Sequence, residues 1–198
     1  MGFVVIVDGP NFLNDLQRSG KNKEYILKTL SLPALQEAIQ RDLNEHGLKG
    51  HPFIHTYFVC SDKGRIGDSE GEEKQRLLLK FKHELGVTVD EIKQNNKHGE
   101  ENFVDMNIFI RMLEMGPFAR PYHDEWRHVV LVSSDSDFAP AIRMLSQMGV
   151  HTVVVGFSDL PGKVFPEELR NESYLFLDLS HLLYEMEKII GERPSFLQ

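Results

Sequence analysis

Cysteine occurs once in the 198-residue chain, at Cys60. A single thiol excludes a disulfide framework within the chain and a Cys-rich zinc site, and it fits a reducing, cytoplasmic location. Basic residues are not in excess either. Lys and Arg number 22 against 30 Asp and Glu, a formal net charge of −8. That balance argues against a general binder of nucleic acid or membrane surfaces. It leaves room for an enzyme with an acidic site, where a bound divalent ion inverts the local field. Long hydrophobic runs are also missing. The first, FVVIV at 3–7, ends at Asp8, too short for a secretion signal or a membrane span, so no membrane partner is expected. Repeats and low-complexity tracts are absent. What remains is an ordinary soluble composition, 41% hydrophobic and 26% charged, in a chain long enough for a substantial core.

The chain alternates strand and helix patterns. Strands are expected at 3–7, 53–59, 87–92, 128–133, 151–156 and 174–179. The continuous β-branched runs among them are those of strands covered on both faces. Helices are expected at 32–47, 69–86, 102–116, 138–149 and 180–191, each closed by a glycine: Gly47, Gly86, Gly116, Gly149 and Gly191. Residues 17–31 and 62–72 read as loose, and residues 158–172 connect back to the last strand. Such alternation implies βαβ units with right-handed crossovers. The expected fold is therefore a three-layer α/β/α sandwich around a mostly parallel sheet.

In such a sheet, ligands bind beyond the carboxyl ends of the strands, where strand order reverses. The two most apolar strands end in chemistry. After the first come Asp8, Gly9, Pro10 and Asn11; after the fourth, Ser133, Ser134, Asp135, Ser136 and Asp137. If these strands are neighbours, Asp8 and Asp135 stand roughly 5 Å apart, with Asp137 close by. Clustered carboxylates repel and raise one another's pKa. A cation relieves that cost, and Mg²⁺ takes hard oxygen ligands from one or two carboxylates. Asn11 follows the Gly9–Pro10 turn as a polar support. In helix 102–116, Asp105 shares a face with Ile108, Phe109 and Met112, which aims a third carboxylate at the sheet.

Each piece also has a bland reading. DGPN is a good turn. SSDSD is a good helix cap, with Ser136 or Asp137 capping. Asp105 could serve the start of its own helix. Both strand-tip motifs in one chain favour the metal reading. A zinc site built on histidine is disfavoured, because His51 and His55 fall on a strand, where i and i+4 lie far apart.

The stretches VIVDGPNF, NFVDMNIF and LVSSDSDFAPAIRMLSQMGVHTVVVG resemble the NYN family of PIN-like nucleases, and ELRNESYLFLDLS resembles its closing segment. The resemblance covers residues 3 to 180, and SSDSDF with its trailing strand is its most specific part. It implies a PIN-like, Rossmann-like fold and a metal-dependent ribonuclease. Residues 1–180 would form the nuclease domain, with a C-terminal helix and tail, 181–198, packed on it. Asp8, Asp105, Asp135 and Asp137 would form the catalytic, metal-binding cluster, for Mg²⁺ or Mn²⁺. Asn11, Ser133 and Ser134 would support it. Many relatives carry Lys-Gly before the middle Asp and another Asp six residues beyond it; here Asn102-Phe103 and Arg111 stand there. Arg111 becomes a candidate phosphate holder.

The implied partner is RNA, single-stranded or structured, with a homodimer left open. Arg18, Lys21, Lys23 and Lys28, and Lys74, Arg76, Lys80 and Lys82, are candidate basic stretches for its backbone. The rival is a catalytically weak or inactive relative that serves as an RNA- or protein-binding adaptor. A Toprim-like site would need a Glu where Asp8 stands. A phosphoaspartyl phosphatase would need an Asp where Pro10 stands.

Overall fold

Phe3–Asp8 forms β1, buried along its whole length. A computed structural model describes residues 3–48, 53–61, 69–92, 101–115 and 127–192. In it β1 is flanked on both sides, by β2 (Phe53–Ser61) and by β4 (Arg127–Val132). The six-stranded sheet has the order β3-β2-β1-β4-β5-β8. Here β3 is Val87–Ile92, β5 is Val150–Gly156 and β8 is Leu175–Asp178. Every pairing in it is parallel. Chain order runs outward from β1 in one direction and then from β4 in the other, so the β1/β4 boundary is the switch point. The expected neighbourhood of the first and fourth strong strands holds.

Strand alternation divides the core into two layers. Phe3, Val5 and Val7 face one apolar cluster, and Val4 and Ile6 the other. The first cluster receives α1 (Gly9–Arg18), α2 (Lys23–Lys28), α3 (Leu32–Glu45), α4 (Ser69–His83) and α8 (Leu179–Glu192). The second receives α5 (Glu101–Met115), α6 (Ala139–Gln147) and α7 (Glu167–Glu172). The result is the expected three-layer sandwich.

Several boundaries differ from the sequence reading. Residues 17–31 are not loose. α1 ends at Arg18, and α2 follows with Asn22 as its cap, whose side chain accepts from the Tyr25 N–H. Ile26 and Leu30 anchor this segment in the core. Residues 158–172 hold a hairpin, β6 (Asp159–Leu160) with β7 (Lys163–Val164), and then α7. Gly47 and Gly149 do stop their helices in the left-handed conformation, at φ 85° and 76°, where glycine carries no steric cost. Gly191 does not, because α8 runs on to Glu192. The stop expected at Gly116 lies outside the described residues, as do His51, Asn102's side chain and most of the 62–72 loop.

Candidate metal site at the β1–β4 crevice

β1 passes into α1 without an intervening loop. Asp8 is both the last strand residue and the helix cap: the Asn11 N–H donates to its Oδ1 at 3.2 Å. Pro10 sits in the first turn, where a missing N–H is harmless. Gly9 is required by crowding. A Cβ there would lie 2.7 Å from the Val59 carbonyl oxygen and 2.8 Å from the Phe58 ring. The DGPN stretch is thus a strand-to-helix joint pressed against β2.

Parity then decides what Asp8 meets. It continues the Val4, Ile6 set that faces the α5–α6 layer. On α5, Val104 and Ile108 pack into that layer, and Asp105 lies beside them. On the neighbouring strand, Ser133 follows the parity of Val129 and Leu131 and donates its hydroxyl to Asp8 Oδ2 at 2.9 Å. The same Ser133 Oγ accepts from the Asp135 N–H at 3.1 Å. The Asp137 N–H donates to Asp135 Oδ1 at 3.0 Å, which starts a single 3-10 turn at Ser136–Phe138. Carboxylate oxygens of Asp8, Asp105 and Asp135 all lie within 4.8 Å of one another.

Ser134 has the opposite parity and faces α1. Its N–H and hydroxyl both reach Asn11 Oδ1, at 3.1 and 2.7 Å. A backbone N–H can only donate, so the amide oxygen of Asn11 faces Ser134 and its NH₂ faces away. The Ser134 hydroxyl also bonds Asp15, one turn further along α1. Asp15 is buried and is paired with Lys163 of β7, whose Nζ stands 2.9 Å from Oδ1 and also reaches the Ser134 hydroxyl. Adjacent serines therefore serve two faces of one strand tip: Ser133 orders the carboxylate cluster, Ser134 orders Asn11.

Asp15 and Lys163 escaped the sequence reading. Asp15 carries the signal that identified Asp105, an acid inside a buried stripe, here Phe12, Asp15 and Leu16. The stripe is visible only once 9–18 is read as helix. Lys163 has no local signal, because only the hairpin's tertiary placement brings it to the site.

Electrostatics set Asp8 apart from the surface acids. Burial pushes the Asp8 carboxyl up to about 7. The charges of Asp105 and Asp135 add to the rise, against the hydrogen bonds from Ser133 and Asn11. A buried acid held near neutrality beside two others marks a site that favours a bound cation. The donor set is all hard oxygen, which suits Mg²⁺ or Mn²⁺ rather than a thiophilic metal.

Two other expected site residues stand apart. Asp137 is exposed and lies outside the group of three. Arg111 is engaged elsewhere on α5. Its Nε donates to Asp90 Oδ2 at 3.0 Å, its Nη1 to Glu114 Oε2 at 3.1 Å, and its guanidinium lies over the Tyr57 ring. Several of the lysines are similarly occupied. Lys21 pairs with Glu187, Lys28 with Glu24 and Lys82 with Glu91. The Lys80 ammonium closes the end of α2 on the carbonyls of Leu27 and Leu30, and burial lowers its pKa.

The family model of the NYN domain matches residues 3–180. No curated protein matches the sequence. Among solved structures, a protein of unknown function from Vibrio parahaemolyticus is similar, with a TM-score of 0.55 at 14% identity. The likeness covers 90% of this chain and 92% of that one. It supports the α/β architecture described above.

Proposed function

This chain belongs to the NYN domain family, a nuclease-like family, and from that premise we propose that it is a metal-dependent ribonuclease. The observation that carries the reading is the trio of carboxylates at the switch point, with oxygens within 4.8 Å. In this reading Asp8, Asp105 and Asp135 hold one or two Mg²⁺ or Mn²⁺ ions. A bound ion of this kind supplies a water of lowered pKa and positive charge for the phosphate. The protein's part is positional. Ser133 fixes Asp8 and, through the Asp135 N–H, the start of the following turn. Asn11 offers its NH₂ to a phosphate oxygen, because Ser134 occupies its carbonyl. Asp137, exposed two residues beyond Asp135, would add negative charge near a held cation. Arg111, paired with Asp90, braces α5 against β3 so that Asp105 keeps its place. The nuclease unit is residues 1–180, and α8 completes its core.

The test is cleavage of end-labelled single-stranded RNA with Mg²⁺, with Mn²⁺ and with EDTA, beside Asp8→Asn and Asp135→Asn. The expected outcome is metal-dependent cleavage that both substitutions abolish. Cleavage that persists in both variants would assign the activity to a contaminant. A folded protein that binds RNA without cutting it under any condition would be the adaptor instead.

A further inference from the structure

A second feature opens beside the joint that carries Asp8. Between α1–α2 and α4, beyond the tips of β1 and β2, lies a cleft of about 390 Å³. One wall is the exposed edge of α1: Pro10, Leu13, Asn14 and Gln17, a single helical stripe. Ile26 and Leu27 of α2 and Leu77 of α4 supply apolar surface, and Phe58 and Cys60 lie at its base. Lys23 and Lys74 line it from either side. The Lys74 ammonium is held there by the Ser61 carbonyl at 2.7 Å.

We propose that this cleft receives an unpaired nucleobase of the RNA strand, from a nucleotide next to the scissile phosphate. The inference rests on the ribonuclease reading and adds to it a place for one base of the strand. Three observations converge. The cleft shares Gly9 and Pro10 with the joint that carries Asp8, and it opens on the α1–α4 side of the strand tips while the carboxylates lie on the α5–α6 side, so a strand crossing the tips would present its phosphate to one and its base to the other. The volume falls at the small end of the range of ligand pockets, roughly 300–1,000 Å³, which suits one nucleotide and not a peptide helix or duplex. The lining has the chemistry of a base site. Apolar side chains cover the faces of a ring, and the Asn14 and Gln17 amides each offer a donor and an acceptor to its edge. Lys23 and Lys74 add positive charge for the flanking phosphate. The Cys60 thiol, which burial pushes up to about 11, stays protonated and takes no part beyond packing. A paired and stacked base cannot enter such a cleft, so duplex RNA is excluded unless the nucleotide is flipped out.

The experiment is a titration of the full chain in EDTA with nucleoside 5′-monophosphates, followed by amide chemical shifts, with ribose 5-phosphate as the base-free control. Asn14→Trp fills the cleft from an exposed helix position, and Gln17→Ala trims it without bulk. The expected result is shifts at residues 10–17 and at Leu77 with the nucleotides. These should be lost in Asn14→Trp and weakened in Gln17→Ala, with ribose 5-phosphate silent. Single-abasic substitution in a cleaved RNA should then slow cutting at one position by about tenfold or more, the scale of one lost base contact. Equal response to ribose 5-phosphate, or no response to any nucleotide by the folded protein, would overturn the proposal. Nucleotide binding in the cleft by a protein that cuts no RNA would retain the base site and remove the ribonuclease reading.

Discussion

At the scale of single residues, Asp8 carries the largest consequence. Its carboxyl ionises near 7 in the folded chain against a reference value of 3.8. The folded state therefore holds a proton that the unfolded state has released. The cost of ionising Asp8 is absent below about pH 4, grows between pH 4 and 7, and is complete above 7. A shift of this size corresponds to about 4 kcal/mol. Asp8→Asn keeps the acceptor that caps α1 and removes the charge. The expected outcome at pH 8 in EDTA is a more stable protein, by several degrees in thermal melting, with the gain vanishing at pH 4. Wild type should recover the same gain on adding Mn²⁺, and the variant should not respond. A wild type and variant that melt alike across this range would show that the three carboxylates are not under strain.

At the scale of elements, the β6–β7 hairpin is tied to the site by one side chain. Lys163 reaches from β7 to Asp15 on α1. Breaking a buried pair by removing one partner strands the other charge, which costs about 3–5 kcal/mol when both are fully buried. Lys163 is one-quarter exposed, so the expected loss for Lys163→Met is smaller, about 2 kcal/mol after that discount. Asp15→Asn in the same chain should restore most of it, measured by denaturant unfolding of the two single variants and the double. Elements also mark how far the sequence could be read. β1, β4 and β5 were legible because strands covered on both faces must be apolar throughout, and their tips then exposed Asp8 and Asp135. Asp105 was legible because one carboxylate interrupts an apolar stripe. α1 was hidden because Asp8, Gly9, Pro10 and Asn11 satisfy a turn and a capped helix start equally well. The preference for helix comes from packing on β2, which local sequence does not contain. The short elements α2, β6, β7 and α7 are stabilised by tertiary contacts rather than propensity. Lys163, on one of these, was therefore out of reach.

At the scale of the whole molecule, the net charge of −8 bears on the proposed binding of RNA, because a chain with an acidic excess can offer few phosphate contacts. Lys21, Lys28, Lys80 and Lys82 are engaged with carboxylates or carbonyls, and under the proposed function the two lysines of the cleft wall, Lys23 and Lys74, would exchange their present partners for phosphate. With about two phosphates neutralised, single-strand affinity should fall with log[salt] at a slope near −1.4. A slope several times steeper, measured by fluorescence anisotropy in Ca²⁺, would place RNA on a different and more basic face. The strand order has a further consequence, for the making of the protein. β1 is made before both its neighbours, β2 about 50 residues on and β4 about 125. Asp8 cannot meet Ser133 or Asp135 until about two-thirds of these 198 residues have been synthesised. Contacts so distant in sequence form late. The trio of carboxylates is thus completed only after β4 and the turn that follows it have been made, however early Asp8 itself appears.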